Sequence, residues 1–161
     1  MFCRLLSIDT FFLIIYALIT DYELRIKMLI KTFEELPIWK LSLKITKEIY
    51  DITFTGKFAR DFGLRDQLRR AVVSISSNIV EGFEKNNNNE FVRFLRIAKG
   101  SVGEVRNQLY IALAISYITN DEFKKLNSEL QELGRQIDGF IYYLIKKKTD
   151  KVFLSHKLSN P

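Results

Sequence analysis

The chain has 161 residues, 47% of them hydrophobic and 27% charged, which is a globular composition of a length suited to one domain with a real core. Two prolines and seven glycines are too few punctuators for a many-stranded fold, so long helices are expected. The formal net charge of +6 and a pI near 9.4 admit a polyanionic partner without requiring one, and a single cysteine, Cys3, excludes an intrachain disulfide framework.

The most apolar run is Phe11-Phe12-Leu13-Ile14-Ile15-Tyr16-Ala17-Leu18-Ile19, bracketed by Asp9 and Asp21. It is about half the ~20 residues needed to span a bilayer. Three readings stay open for it: an extra packing helix, a cleaved leader behind Arg4, or an extension upstream of a start at Met28. No clear small-x-small cleavage site follows Ile19. The organisation expected is therefore an N-terminal extension over residues 1–33, a helical bundle over 34–148, and a loose C-terminal tail over 149–161.

The first bundle helix opens at Leu36-Pro37-Ile38-Trp39, where a proline in the first turn loses no hydrogen bond. Trp39, Leu43, Thr46, Ile49, Tyr50 and Phe54 follow at helical spacing as its expected core stripe, and Gly56 ends it. A short link then returns the chain antiparallel into a second helix, from about Gly63 to Glu84. Leu64, Leu68, Val72, Ile75, Ile79 and Phe83 form its apolar stripe. Beside them run Gln67, Arg70, Ala71, Ser74, Asn78 and Glu81, small and hydrogen-bonding residues where a simple surface helix would carry Lys and Glu. That second stripe points to another closely packed helix, in the same subunit or in a neighbouring copy. Asn87-x-x-Glu90 resembles a capping box for a third helix over residues 89–117, whose seam is Phe91, Leu95, Ala98, Val102, Val105, Leu109 and Ala112. Ser101, Glu104 and Gln108 form a polar strip beside it. Thr119-x-x-Glu122 caps the fourth helix, which repeats Phe123, Leu126, Leu130, Leu133, Ile137, Phe140 and Leu144 and ends at Lys146-Lys147-Lys148, where cations suit the helix dipole. The expected fold is all-α, an up-down-up-down antiparallel four-helix bundle with an extra N-terminal apolar segment.

Little in the sequence supports catalysis. The only histidine, His156, stands in the tail and Cys3 in the N-terminal segment, so neither a Cys/His metal site nor a Ser-His or Cys-His pair is expected on the bundle. Glu-x-x-His pairs for a di-iron site are absent. Gly100-Ser101-Val102-Gly103 falls inside a helix and lacks the Gly-Lys-Ser/Thr ending of a phosphate loop, so it reads as a place for close helix contact. A buried Ser74, Asn78, Ser101 or Glu104 requires a hydrogen-bond partner, because an unsatisfied polar group costs about 1–3 kcal/mol. Gln67, Arg70, Ser74, Asn78, Glu81, Ser101 and Glu104 are accordingly assigned to structural or subunit contacts, with Arg70 expected to pair with Glu81 or Glu104. Arg60, Arg65, Arg69, Arg93, Arg96 and Lys99 form a basic set for phosphate contact, the alternative being a solvated basic face. Tyr110 is the nearest ring, so the sequence lends stacking on single strands little support.

Gln67-Leu68-Arg69-Arg70-Ala71, then Ser74-Ile75-x-x-Asn78-Ile79-x-Glu81-Gly82, then Glu90-Phe91-x-Arg93-Phe94-Leu95-x-x-Ala98-x-Gly100-Ser101-x-x-Glu104 resemble the bacterial four-helix bundle family of the 23S rRNA intervening-sequence proteins. The accessory protein of diversity-generating retroelements is related to that family. Leu36-Pro37-Ile38-Trp39-Lys40 fits the family's opening, and the resemblance runs over residues 36–144. It implies a cytoplasmic bundle, commonly a homopentamer, barrel-shaped and basic on its surface. It also implies association with RNA or an RNA-processing protein, and brings no enzymatic activity, cofactor, small-molecule substrate or membrane partner. The chain departs from the family pattern at Ala59 (usually proline), Glu84 (frequently glycine), Lys85 (arginine) and Asn87 (serine). The missing arginine weakens any phosphate contact carried over to that turn. Residues 1–27 have no counterpart in the family.

Overall fold

A computed structural model describes residues 30–158, with side chains to residue 146. The apolar run over residues 11–19, Cys3, Met28 and the His156 side chain lie outside the described residues. Four helices make up the fold: α1 (Pro37–Ile52), α2 (Phe62–Glu84), α3 (Asn88–Ala114) and α4 (Asn120–Leu158). Among the described residues there is no strand. Each helix packs on the next in the chain and α4 closes back on α1, so the expected bundle is what forms. Two short 3-10 turns, Phe33–Glu35 and Phe58–Arg60, precede α1 and α2.

The apolar spacing of α2, α3 and α4 translates directly into burial. Leu68, Val72, Ile75 and Ile79 on α2, the α3 seam from Phe91 to Ala112, and Leu126, Leu130, Leu133, Ile137 and Leu144 on α4 form one contiguous core. The α1 stripe is a correction. Its buried line is Ile38, Ser42, Ile45 and Ile49, with Leu41 and Ile52 partly covered, whereas Leu43, Tyr50 and Phe54 are exposed. Both lines have helical spacing, and Ser42 made the true one look polar. Its hydroxyl donates to the Trp39 carbonyl at 2.7 Å, so it enters the core already satisfied. Thr53 does the same at the end of α1, donating to the Ile49 carbonyl at 2.7 Å.

The turns close as the residue types dictate. Asn87 caps α3, its Oδ1 accepting from the backbone N–H groups of Asn89 and Glu90. Thr119 and Glu122 form a reciprocal capping box at α4. Asp61, of a residue type favoured at helix starts, caps α2 by accepting from the Leu64 N–H at 3.0 Å. At the end of α3, Ser116 sits at φ 58 while its N–H and that of Tyr117 bond back to Leu113 and Ala112, ending the helix three residues before the expected Tyr117. The backbone of α4 runs on as helix to Leu158, past the lysine run that was expected to stop it.

Candidate nucleic-acid interface

The end of the bundle where α1 gives way to α2 is built around a buried anchor. Gly56, at φ 65, turns the chain out of α1, a conformation that a side chain would strain. Phe58 then plugs the bundle end, 1% exposed and tilted against Tyr117 with ring centroids 5.5 Å apart. With Phe58 fixed, its neighbours face outward: Lys57 and Arg60 are exposed, as are Phe54 (77%) and Phe62 (65%).

Two arginines brace this turn. Arg69 donates from Nε to the Thr53 hydroxyl (2.9 Å) and from Nη2 to the Thr53 carbonyl (3.2 Å), placing a cation on the C-terminal end of α1. Its guanidinium lies 4.7 Å from the centre of the Tyr50 ring. Arg65 donates to the Ala59 carbonyl (2.9 Å) and to Asp66 (2.8 Å), and lies 4.5 Å from the centre of the Phe62 ring. That Arg65 hydrogen bond holds the Asp66 carboxyl below the usual carboxylate range. Tyr50, Asp66, Arg69, Arg70 and Val73 line a shallow groove leading away between α1 and α2.

The basic set proposed from the sequence is not one patch. With Ser74 opposite Ser101 and the helices antiparallel, Arg65 lies level with the stretch around Tyr110, roughly 25 Å along the axis from Arg93. Arg60, Arg65 and Arg69 therefore gather at one end of the bundle, and Arg93 and Arg96 stand toward the other. Arg93 is held by Glu90 (2.8 Å) and lies over Phe94, and Lys99 meets Asp138 of α4 at 2.6 Å. Arg60 and Arg96 are exposed, and their side chains make no hydrogen bond or ion pair with other described residues.

The polar stripe divides too. Ser74 and Ser101 share a hydrogen bond of 3.0 Å across the α2–α3 seam, and Asn78 donates to the Ser74 carbonyl (2.7 Å) and hydroxyl (3.1 Å). These three satisfy one another inside the subunit. Gln67, Arg70, Glu81 and Glu104 point to solvent in the single chain. Arg70 pairs with neither Glu81 nor Glu104, contrary to expectation. Eleven residues along one helix put Glu81 about 16 Å from Arg70. Gly100 and Gly103 have nothing within 4 Å of a built Cβ, so they do not serve close packing within the subunit.

Tyr50 and Phe54 lie on a stripe with plausible core spacing, which hides their exposure from the sequence. The signal for Phe62 was present: it directly follows Asp61, and the residue after a helix cap has no core neighbour one turn earlier.

Among the described residues no three His, Cys, Asp or Glu side chains cluster to hold a metal ion. No described helix is long and apolar enough to cross a membrane. The fold and this bundle end define a small antiparallel four-helix protein with a braced, cationic turn. The chain belongs to the 23S rRNA-intervening sequence protein family, whose model matches residues 34–139. A solved structure of a protein of unknown function from the S23 ribosomal protein family of Bacteroides thetaiotaomicron has the same fold. It is 22% identical with a TM-score of 0.59, covering 65% of this chain and 97% of that one. Among curated proteins nothing matches.

Proposed function

We propose that the chain is a non-enzymatic, cytoplasmic, homo-oligomeric bundle, a pentamer, whose basic surface binds structured RNA or an RNA–protein complex. The observation that carries this reading is membership in a family named for an rRNA intervening sequence. The net charge of +6 supports it, as does the gathering of Arg60, Arg65 and Arg69 at one end. Surface cations give affinity through phosphate contact, and such affinity falls steeply with salt.

Titrating a structured RNA against the full chain across a salt series tests it. Arg60→Glu and Arg96→Glu are the informative changes, because neither removes a hydrogen bond within the subunit. Affinity should weaken, and the salt slope should drop by about one for each phosphate that is no longer neutralised. RNA affinity absent at low salt, or indifferent to salt, overturns the reading.

A second reading, a protein-interaction scaffold that binds no nucleic acid, is favoured by Leu43, Val73, Ile97 and Ile111, exposed on α1, α2 and α3, with Ile115 exposed just past the end of α3. On α3, Ile97, Glu104 and Ile111 fall at helical spacing on one exposed line, the pattern of a helix-packing seam. Light scattering beside the RNA titration separates the two: a uniform oligomer without RNA affinity favours the scaffold, and a monomer removes it.

A further inference from the structure

We infer that the turn between α1 and α2 is a stacking platform for unpaired RNA bases, with Phe54 and Phe62 as the stacking rings and Lys57 and Arg60 as the phosphate contacts. The inference rests on the RNA-binding reading above and names the kind of RNA that this end of the molecule takes. Three exposed aromatic rings converge where the chain leaves α1 and enters α2: Tyr50 at 41%, Phe54 at 77% and Phe62 at 65% exposure. Scattered surface rings need no explanation, but these alternate with guanidinium groups over Tyr50 and Phe62. Rings and guanidinium planes are the two surfaces on which unstacked bases settle, whatever the base.

Charge argues for a polyanion over a second protein surface. Between Thr53 and Arg70 the cations are Lys57, Arg60, Arg65, Arg69 and Arg70, and the acids are Asp61 and Asp66 alone. Both acids are already engaged, Asp61 by the Leu64 N–H and Asp66 by Arg65. The side chains of Lys57 and Arg60 make no hydrogen bond or ion pair with another described residue, which leaves their charge for a ligand. Rings and arginines also suit a protein interface, so it is the excess of these cations over two already engaged acids that favours a polyanion here. The platform is also rigid before any ligand arrives. Phe58 is buried beneath it, and Arg65 and Arg69 tie Ala59 and Thr53 to α2, so the backbone of the turn needs little ordering on binding.

The experiment compares the full chain's affinity for a short oligouridylate with that for a blunt RNA duplex carrying the same number of phosphates, at several salt concentrations. The single strand should bind the tighter. Phe54→Ala and Phe62→Ala should each weaken it by about tenfold while leaving the salt slope and duplex binding unchanged. A Phe54→Trp chain should retain affinity, and its added fluorescence should be quenched on binding the single strand. Equal binding of both RNAs, with no effect of either alanine and no quenching, overturns the platform and leaves phosphate-driven RNA binding standing. Failure to bind either RNA at low salt takes down the RNA reading itself. If Phe54→Ala breaks the oligomer into smaller species by light scattering, the rings seat another copy of the chain and the platform is wrong.

Discussion

Gly82 is the residue at which the bundle leaves no room. A Cβ built there would stand 2.7 Å from the Phe94 Cβ and 2.9 Å from a Phe91 ring atom, approaches that no side chain tolerates unmoved. Gly82→Ala should therefore destabilise the protein by about 1–3 kcal/mol despite the better helix propensity of alanine, read as a lower urea midpoint at unchanged slope. Gly100 and Gly103 pose the opposite case, helical glycines with open space around them. Ser42 and Thr53 show a further residue-scale rule. A hydroxyl that bonds a carbonyl in the preceding turn brings its own partner into the core. Arg69 acts at this scale as well, since one guanidinium holds the end of α1 through both the hydroxyl and the carbonyl of Thr53.

At the scale of the elements, the caps decide where helices begin, and the caps are local. Asn87 serves α3 through two backbone N–H groups, and Thr119 serves α4 through a reciprocal box with Glu122. Asn87→Ala and Thr119→Ala should each cost about 1 kcal/mol in chemical denaturation. The two caps share no partner, so the double change should cost their sum to within about 0.5 kcal/mol. Helix pairs differ in what joins them. The α2–α3 seam is apolar apart from the Ser74–Ser101 hydrogen bond. Across the α1–α4 seam, Lys44 meets Glu129 at 2.8 Å and Lys125 meets Glu48 at 2.9 Å. The Glu129 hydrogen bond raises the Lys44 pKa above its ordinary value.

For the whole molecule, the question is whether charge holds the fold or serves something outside it. Lys44, Lys47, Arg93, Lys99 and Arg135 are all largely exposed members of ion pairs, and surface pairs of this kind contribute about 0–1 kcal/mol each. The fold instead rests on one apolar core running through all four helices. Thermal unfolding in low and high salt should accordingly differ by no more than about 4 °C, while RNA affinity collapses over the same range. A large loss of thermal stability in high salt would place the charges in the fold after all.

What the amino-acid order settled unaided was the class of fold, three of the four core stripes and the caps of α3 and α4. Each of those depends on residues within one or two turns of one another, so periodicity and cap chemistry suffice to read them. The face that α1 turns inward was decided only in three dimensions. Two of its faces have helical spacing, and packing against α2 and α4 selects the one through Ser42. The same holds for the cationic residues. Spacing along the chain brought Arg60, Arg65, Arg69, Arg93, Arg96 and Lys99 into one set, but an antiparallel return sends neighbours in sequence to opposite ends of the bundle. The rings that α1 and α2 present at their shared turn became visible only once packing had taken the other faces of those helices.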